Sequence, residues 1–183
     1  MTLDALMDTL PAYAKDMKLN FSSVVRGQTD LNEQQLWGTI VACAMACRNE
    51  ELTATALEEA ASHLSPQAFE AAKSAAAVMG MNNIYYRFLH LSSNEKYGTM
   101  RAGLRMNAIR THGIDQLDFE LWCLAVSAIN GCGACVDSHE KVLREKGFGE
   151  EKVLAAVRIA SVLHAIATVL DTERVAASQL AAV

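Results

Sequence analysis

Apolar residues recur at helical spacing along almost the whole chain, and no stretch alternates apolar with polar as a half-buried strand must. Leu3, Leu6, Met7, Leu10, Tyr13, Ala14 and Met17 form the first such stripe and predict an amphipathic helix over residues 3–18, across Pro11. A second helix is predicted over 32–47, opening on Asn32 as an N-cap, and a third over 50–63. Ser65 followed by Pro66 places a cap before a first-turn proline, which starts a helix reaching about residue 90. Residues 91–114 read as a connecting segment with at most a short helix. Asp115 caps the next helix, which Asn130-Gly131 stops after Ile129. The cysteine segment opens another, ended by Gly147 and Gly149, and a last helix spans 150–170. Abundant alanine, 6% aromatic residues and only two prolines point the same way. The expected fold is all-α, a single domain over residues 1–183.

An internal echo accompanies the helical pattern. Shifting the chain by 85 residues pairs Asp30 with Asp115, Leu36-Trp37 with Leu121-Trp122, Val41 with Val126 and Cys47 with Cys132. Ala71 and Ala75 then meet Ala156 and Ala160, and helices follow one another in the same order. This reads as a duplicated helical unit covering about 30–90 and 115–175. The informative contrast between the copies is that Glu120, Cys135 and His139 stand where the first copy has Gln35, Glu50 and Ala54.

Several function classes are disfavoured. The net charge is −5 and no basic run exists, so no nucleic-acid surface is expected. The start lacks a basic segment followed by an apolar one, so no signal peptide is expected. The most apolar run, "LAAVRIASVLHAIATVL", contains Arg158 and His164 and is expected to be too short and interrupted to span a bilayer. A cytoplasmic protein is therefore expected, in which five cysteines are better suited to catalysis or metal binding than to structural disulfides.

The chemistry concentrates in "SAINGCGACVDSHEKVLREKG", residues 127–147. At helical pitch Cys132, Cys135 and His139 fall within about 60° of arc on one face. Cys132 comes first, where free amides and the helix dipole favour a thiolate. His139 lies one turn beyond Cys135, within reach as its base, and Glu120 on the preceding helix can orient and charge-stabilise the imidazole. A redox dithiol is the leading reading. Zinc held by Cys132, Cys135 and His139, with Glu120 or His112 as a fourth ligand, is the main rival, and plain core packing the third. Elsewhere, Gly131-Cys-Gly133 lacks the strand and third glycine of a dinucleotide site. His164 reads as a core histidine, His63 and His90 as helix-end residues facing solvent, and Cys43, Cys47 and Cys123 as packing residues. In "VMGMNNIYYRF", Asn82 and Asn83 are unusual inside a helix and suggest a capped bend or a subunit contact.

The segments "FELWCLAVSAINGCGACVDSHE", "MGMNNIYYR", "GLRMN" and "LPAYAKDMKLN" together resemble the alkyl hydroperoxide reductase D (AhpD) family, whose wider relatives include the carboxymuconolactone decarboxylases. The resemblance spans roughly residues 8–170, with the E-x11-C-x2-C-x3-H array as its most specific part. It implies an all-α fold with an internal repeat, a homotrimer, and an antioxidant thiol-dependent peroxidase with no bound cofactor or metal. Carried over, Cys135 is the peroxide-reactive thiol that becomes a sulfenic acid. Cys132 is the resolving thiol and proton donor, and His139 with Glu120 forms the proton relay. Implied partners are hydroperoxide substrates, the peroxiredoxin AhpC and a lipoyl-type electron donor such as dihydrolipoamide. Some relatives carry a histidine between the cysteines; here Gly133-Ala134 stands there.

Overall fold

A computed structural model describes residues 1–180, which contain ten α-helices and no strand. α1 (Leu3–Asp8) opens on Thr2, whose hydroxyl accepts from the Ala5 amide. The single helix expected over 3–18 does not form. Pro11 takes an extended conformation (φ −68°, ψ 164°) and a 3-10 turn, Ala12–Ala14, leads into α2 (Lys15–Phe21). The physical reason is that proline has no amide to donate and disfavours a helical residue before it. α2 then widens into a π turn, Ser22–Arg26, which the apolar spacing did not signal.

The later helices start where their caps place them. α3 (Glu33–Cys47) has a complete capping box between Asn32 and Gln35. α4 (Glu50–Ala60) starts on Asn49, and α5 (Pro66–Leu91) on Ser65 with proline at its first turn. The connecting segment carries two single turns, α6 (Lys96–Thr99) and α7 (Ala108–Thr111). α8 (Gln116–Ile129) is capped by Asp115, whose carboxylate accepts from the Leu117 and Asp118 amides. α9 (Gly133–Glu145) follows a short turn, and α10 (Glu150–Leu180) extends ten residues past the expected Leu170. The starts of α3, α4 and α5 thus recur in order as those of α8, α9 and α10.

α3 and α8 pack against each other at the centre, with α5 and α10 each laid across both. α9 closes over α8 and α5, α4 backs α3, and α1 lies on α4. Every residue of α8 from Asp118 to Ser127 is buried, so its period is erased by neighbours on all sides. α10 is long and apolar enough to cross a membrane by length and composition, contrary to the sequence expectation. In this fold its apolar stripe, including Ile159, Leu163 and Ile166, is spent on the helical core.

The α3–α8 contact is close-packed. A Cβ on Gly38 would stand 2.0 Å from the indole of Trp122, which is fully buried and donates to the Gln35 carbonyl at 3.2 Å. Gln34 and Gln35 both donate to the Asp118 carboxylate, at 2.6 and 2.8 Å, fixing the register of the two helices. Gly38→Ala is therefore expected to destabilise the protein by about 1–3 kcal/mol, because the ring has nowhere to retreat. Chemical denaturation would measure this. A stabilised variant would mean that helix propensity outweighs the clash.

Candidate functional site

The cysteine pair is positioned by the turn between α8 and α9. Gly131 adopts φ +66°, the Gly131 amide donates to the Ala128 carbonyl and the Cys132 amide to that of Ser127. This is the 6→1, 5→2 pattern that ends a helix on a left-handed residue, and glycine takes that conformation at least cost. The chain then restarts at once: Cys132 is the N-cap of α9, and its carbonyl accepts from the Cys135 and Val136 amides. Cys132 and Cys135 are joined by a disulfide within this first turn.

α5 holds the turn from one side. Asn83 donates through Nδ2 to the Ser127 hydroxyl and accepts at Oδ1 from Asn130 Nδ2, both at 2.9 Å. Ser127 in turn donates to the Cys123 carbonyl, and Arg87 donates to the Asn130 carbonyl at the end of α8. Neither of the two adjacent asparagines caps a bend, the first of the roles the sequence suggested. Asn83 ties α5 to the turn before Cys132, whereas Asn82 faces elsewhere, into a cavity.

That cavity, about 440 Å³, lies between α5, α7, α8 and α9. Cys135, Ser138, His139 and Glu120 supply much of its polar wall, and Met79, Tyr86, Met106, Ile109 and Val142 its apolar wall. Cys135 borders it at 5% exposure, while Cys132 is sealed at 0% and does not border it. A small molecule entering from the cavity therefore meets Cys135.

The structure brings Glu120 and His139 together. Glu120 Oε2 lies 2.5 Å from His139 Nδ1, with both side chains buried. His139 Nε2 is left facing Met79 Sδ at 3.3 Å, a weak acceptor. The other carboxylate oxygen, Oε1, accepts from Gln116 Nε2 at 2.6 Å, and Gln116 Oε1 lies 2.9 Å from His112 Nε2. His112 Nδ1 accepts from the Ile114 amide, so its neutral ring carries the proton on Nε2 and donates it to Gln116. This chain fixes the carboxylate before it reaches the imidazole. Gln116 escaped the sequence reading, although its spacing, four residues before Glu120 on one helix, was available as a signal. Met79 carried no signal and Asn82 only that of an amide unusual inside a helix, since both reach the site from α5.

The zinc reading finds no support in this arrangement. Both sulfurs are bonded to each other, His139 Nδ1 is engaged by Glu120, and His112 stacks on Phe119 at 4.1 Å rather than joining the cysteines. Among the described residues, no three His, Cys, Asp or Glu side chains are grouped to hold a metal.

The remaining candidates fall outside the site. His164 is exposed on α10, not a core histidine as its apolar neighbours suggested, because α10 turns only one stripe inward. His63 stacks on Trp37 at 4.1 Å with Nδ1 on Glu33. Cys43 and Cys123 are buried, and burial pushes both thiols well above their ordinary range, with the Glu120 charge adding to the effect at Cys123. Burial also pushes the Cys47 thiol up to about 12. None of the three is a competing nucleophile at neutral pH.

Comparison with known proteins bears directly on this geometry. The carboxymuconolactone decarboxylase family model matches residues 95–178, the stretch that carries Glu120 and α9. Over nearly its full length the chain is 70% identical to the alkyl hydroperoxide reductase AhpD of Acidobacterium capsulatum, covering 96% of each chain. It is 64% identical to that of Koribacter versatilis, over 94% of this chain and 89% of the relative. Against that of Streptomyces griseus it is 54% identical, over 97% of this chain and 99% of the relative.

Proposed function

We propose, from the premise that this chain belongs to the alkyl hydroperoxide reductase AhpD family, that it is a peroxide-reducing oxidoreductase working through the Cys132–Cys135 dithiol. The observation that carries the reading is the placement of Cys135, alone of the pair, on a cavity wall beside the Glu120–His139 couple.

In the reduced protein Glu120 holds the His139 proton on Nδ1, leaving Nε2 to take the proton of Cys135. The Cys135 thiolate attacks the terminal oxygen of the hydroperoxide. An S–O bond forms, the O–O bond breaks, and the departing alkoxide takes the proton from His139 as an alcohol. Cys132 then attacks the Cys135 sulfenic acid, expelling water and closing the disulfide. An external dithiol reduces the disulfide by exchange, so that two electrons pass from donor to peroxide in each cycle. The lining of Met79, Tyr86, Met106, Ile109 and Val142 suits an organic substituent on the peroxide.

By family resemblance the electron donor is of the lipoyl type, the protein also reduces the peroxiredoxin AhpC, and it works in the cytoplasm as a homotrimer. The Gly133-Ala134 pair supplies no imidazole between the cysteines, so His139 is the base of this site.

Thiol titration tests the core of this reading. Reduced native protein treated with one equivalent of an alkyl hydroperoxide is expected to lose two thiols per chain, mapped by peptide mass to Cys132 and Cys135. Cys47 is expected to resist alkylation at pH 8, where a thiol with a pKa of about 12 is only ~10⁻⁴ ionised. An unchanged thiol count, or loss mapped to Cys43, Cys47 or Cys123, would refute the assignment.

A further inference from the structure

Asn82 is 3% exposed, and its Oδ1 is the one buried side-chain oxygen or nitrogen without a hydrogen-bond partner among the described residues. A buried amide is normally paired, and an unpaired one is kept where something else completes it. Asn83, the next residue, has both ends of its amide engaged, so the lack is not a general looseness of α5. Asn82 lies on the stripe of α5 that also carries Met79 and Tyr86, and all three border the cavity reached by Cys135 and His139. It is the polar interruption of an otherwise apolar face.

We propose that the Asn82 amide binds the O–O–H head of the hydroperoxide and sets it against Cys135. This rests on the peroxidase reading above. A hydroperoxide has one O–H to donate and lone pairs on both oxygens, and a primary amide offers the matching acceptor and donor. Oδ1 accepts from the peroxide O–H, and Nδ2 donates to the oxygen bearing the organic group. That second contact strengthens as the O–O bond breaks and charge grows on the leaving oxygen, so it favours the transition state over bound substrate. The proton count is that of the cycle already described: the peroxide hydrogen stays on the sulfenic oxygen, and His139 protonates the alkoxide. Met79 and Tyr86, on either side, contact the substituent.

The test uses Asn82→Leu, which keeps the branched four-atom shape and removes the hydrogen bonds, with Asn82→Ala as a second variant should the bulkier leucine protein not fold. Each is reduced, mixed with hydrogen peroxide or tert-butyl hydroperoxide, and followed through one turnover of Cys132–Cys135 closure. Reduction of the oxidised proteins by dithiothreitol is timed separately. The expected result is a fall of about tenfold or more in the second-order oxidation rate, by the same factor for both peroxides because the amide holds the shared head group. Disulfide reduction should stay within twofold of the parent. An unchanged oxidation rate, equal slowing of oxidation and reduction, or slowing confined to tert-butyl hydroperoxide would each overturn the role of Asn82. If the parent protein itself is oxidised by neither peroxide, the peroxidase reading falls first, independently of the variants.

Discussion

Cys135→Ser is expected to abolish peroxide turnover, a loss of at least about 10³-fold, while Cys132→Ser retains a single oxidation per chain. The asymmetry follows from access. Cys135 borders the cavity, whereas Cys132 is sealed behind the turn at Gly131. With Cys132 absent, the Cys135 sulfenic acid has no partner and persists, so a sulfenic-acid trap should add one label to that peptide and turnover should stop after one equivalent of peroxide. With Cys135 absent, the remaining thiol does not border the cavity that His139 lines. Trapping on Cys132 in the Cys135→Ser protein, with none on Cys135 in the other, would reverse the roles. The helix dipole acting alone points in that direction, since Cys132 caps α9 and Cys135 lies one turn in.

Glu120→Gln should lower turnover on the order of 10²–10⁴-fold with the fold intact. The carboxylate accepts from Gln116 on one oxygen and from His139 Nδ1 on the other. A glutamine keeps the first contact with its carbonyl and turns its amide toward the imidazole. That amide donates, so His139 Nδ1 must accept and the ring proton moves to Nε2, where it can no longer receive the proton of Cys135. The fault is one of tautomer rather than shape. Raising the pH should therefore restore part of the rate, as hydroxide replaces the base in forming the thiolate. A variant with the parent's rate and pH profile would remove Glu120 from the relay. A large drop in unfolding temperature would instead mark the pair as structural.

The spacing of Cys132, Cys135 and His139 along one helix face was legible because all three belong to one local element. Glu120 was legible as a candidate partner on the preceding helix, but its contact with His139 spans two helices and depends on how α8 meets α9. The asparagine pair shows where local reading stops. Asn82 and Asn83 are chemically identical neighbours, and one step of helix rotation sends the first into a cavity and the second into the α8–α9 turn. His164 failed for the same reason: its neighbours along the chain are apolar, but its direction from α10 is outward. Pro11 is the opposite case, a local rule overridden too readily by apolar periodicity.

By itself the sequence determined the all-α class, the starts of α3, α4, α5 and α8, and the placing of the two cysteines and His139 on α9. Caps, prolines and helical spacing act between residues a few positions apart, so they survive without knowledge of the fold. Only the tertiary structure decided which sulfur faces a cavity, how Gln116 and Glu120 engage His139, and why Asn82 Oδ1 lacks a partner. Those properties belong to the gap between α5, α7, α8 and α9, and a gap is set by how helices distant in sequence exclude water from one another.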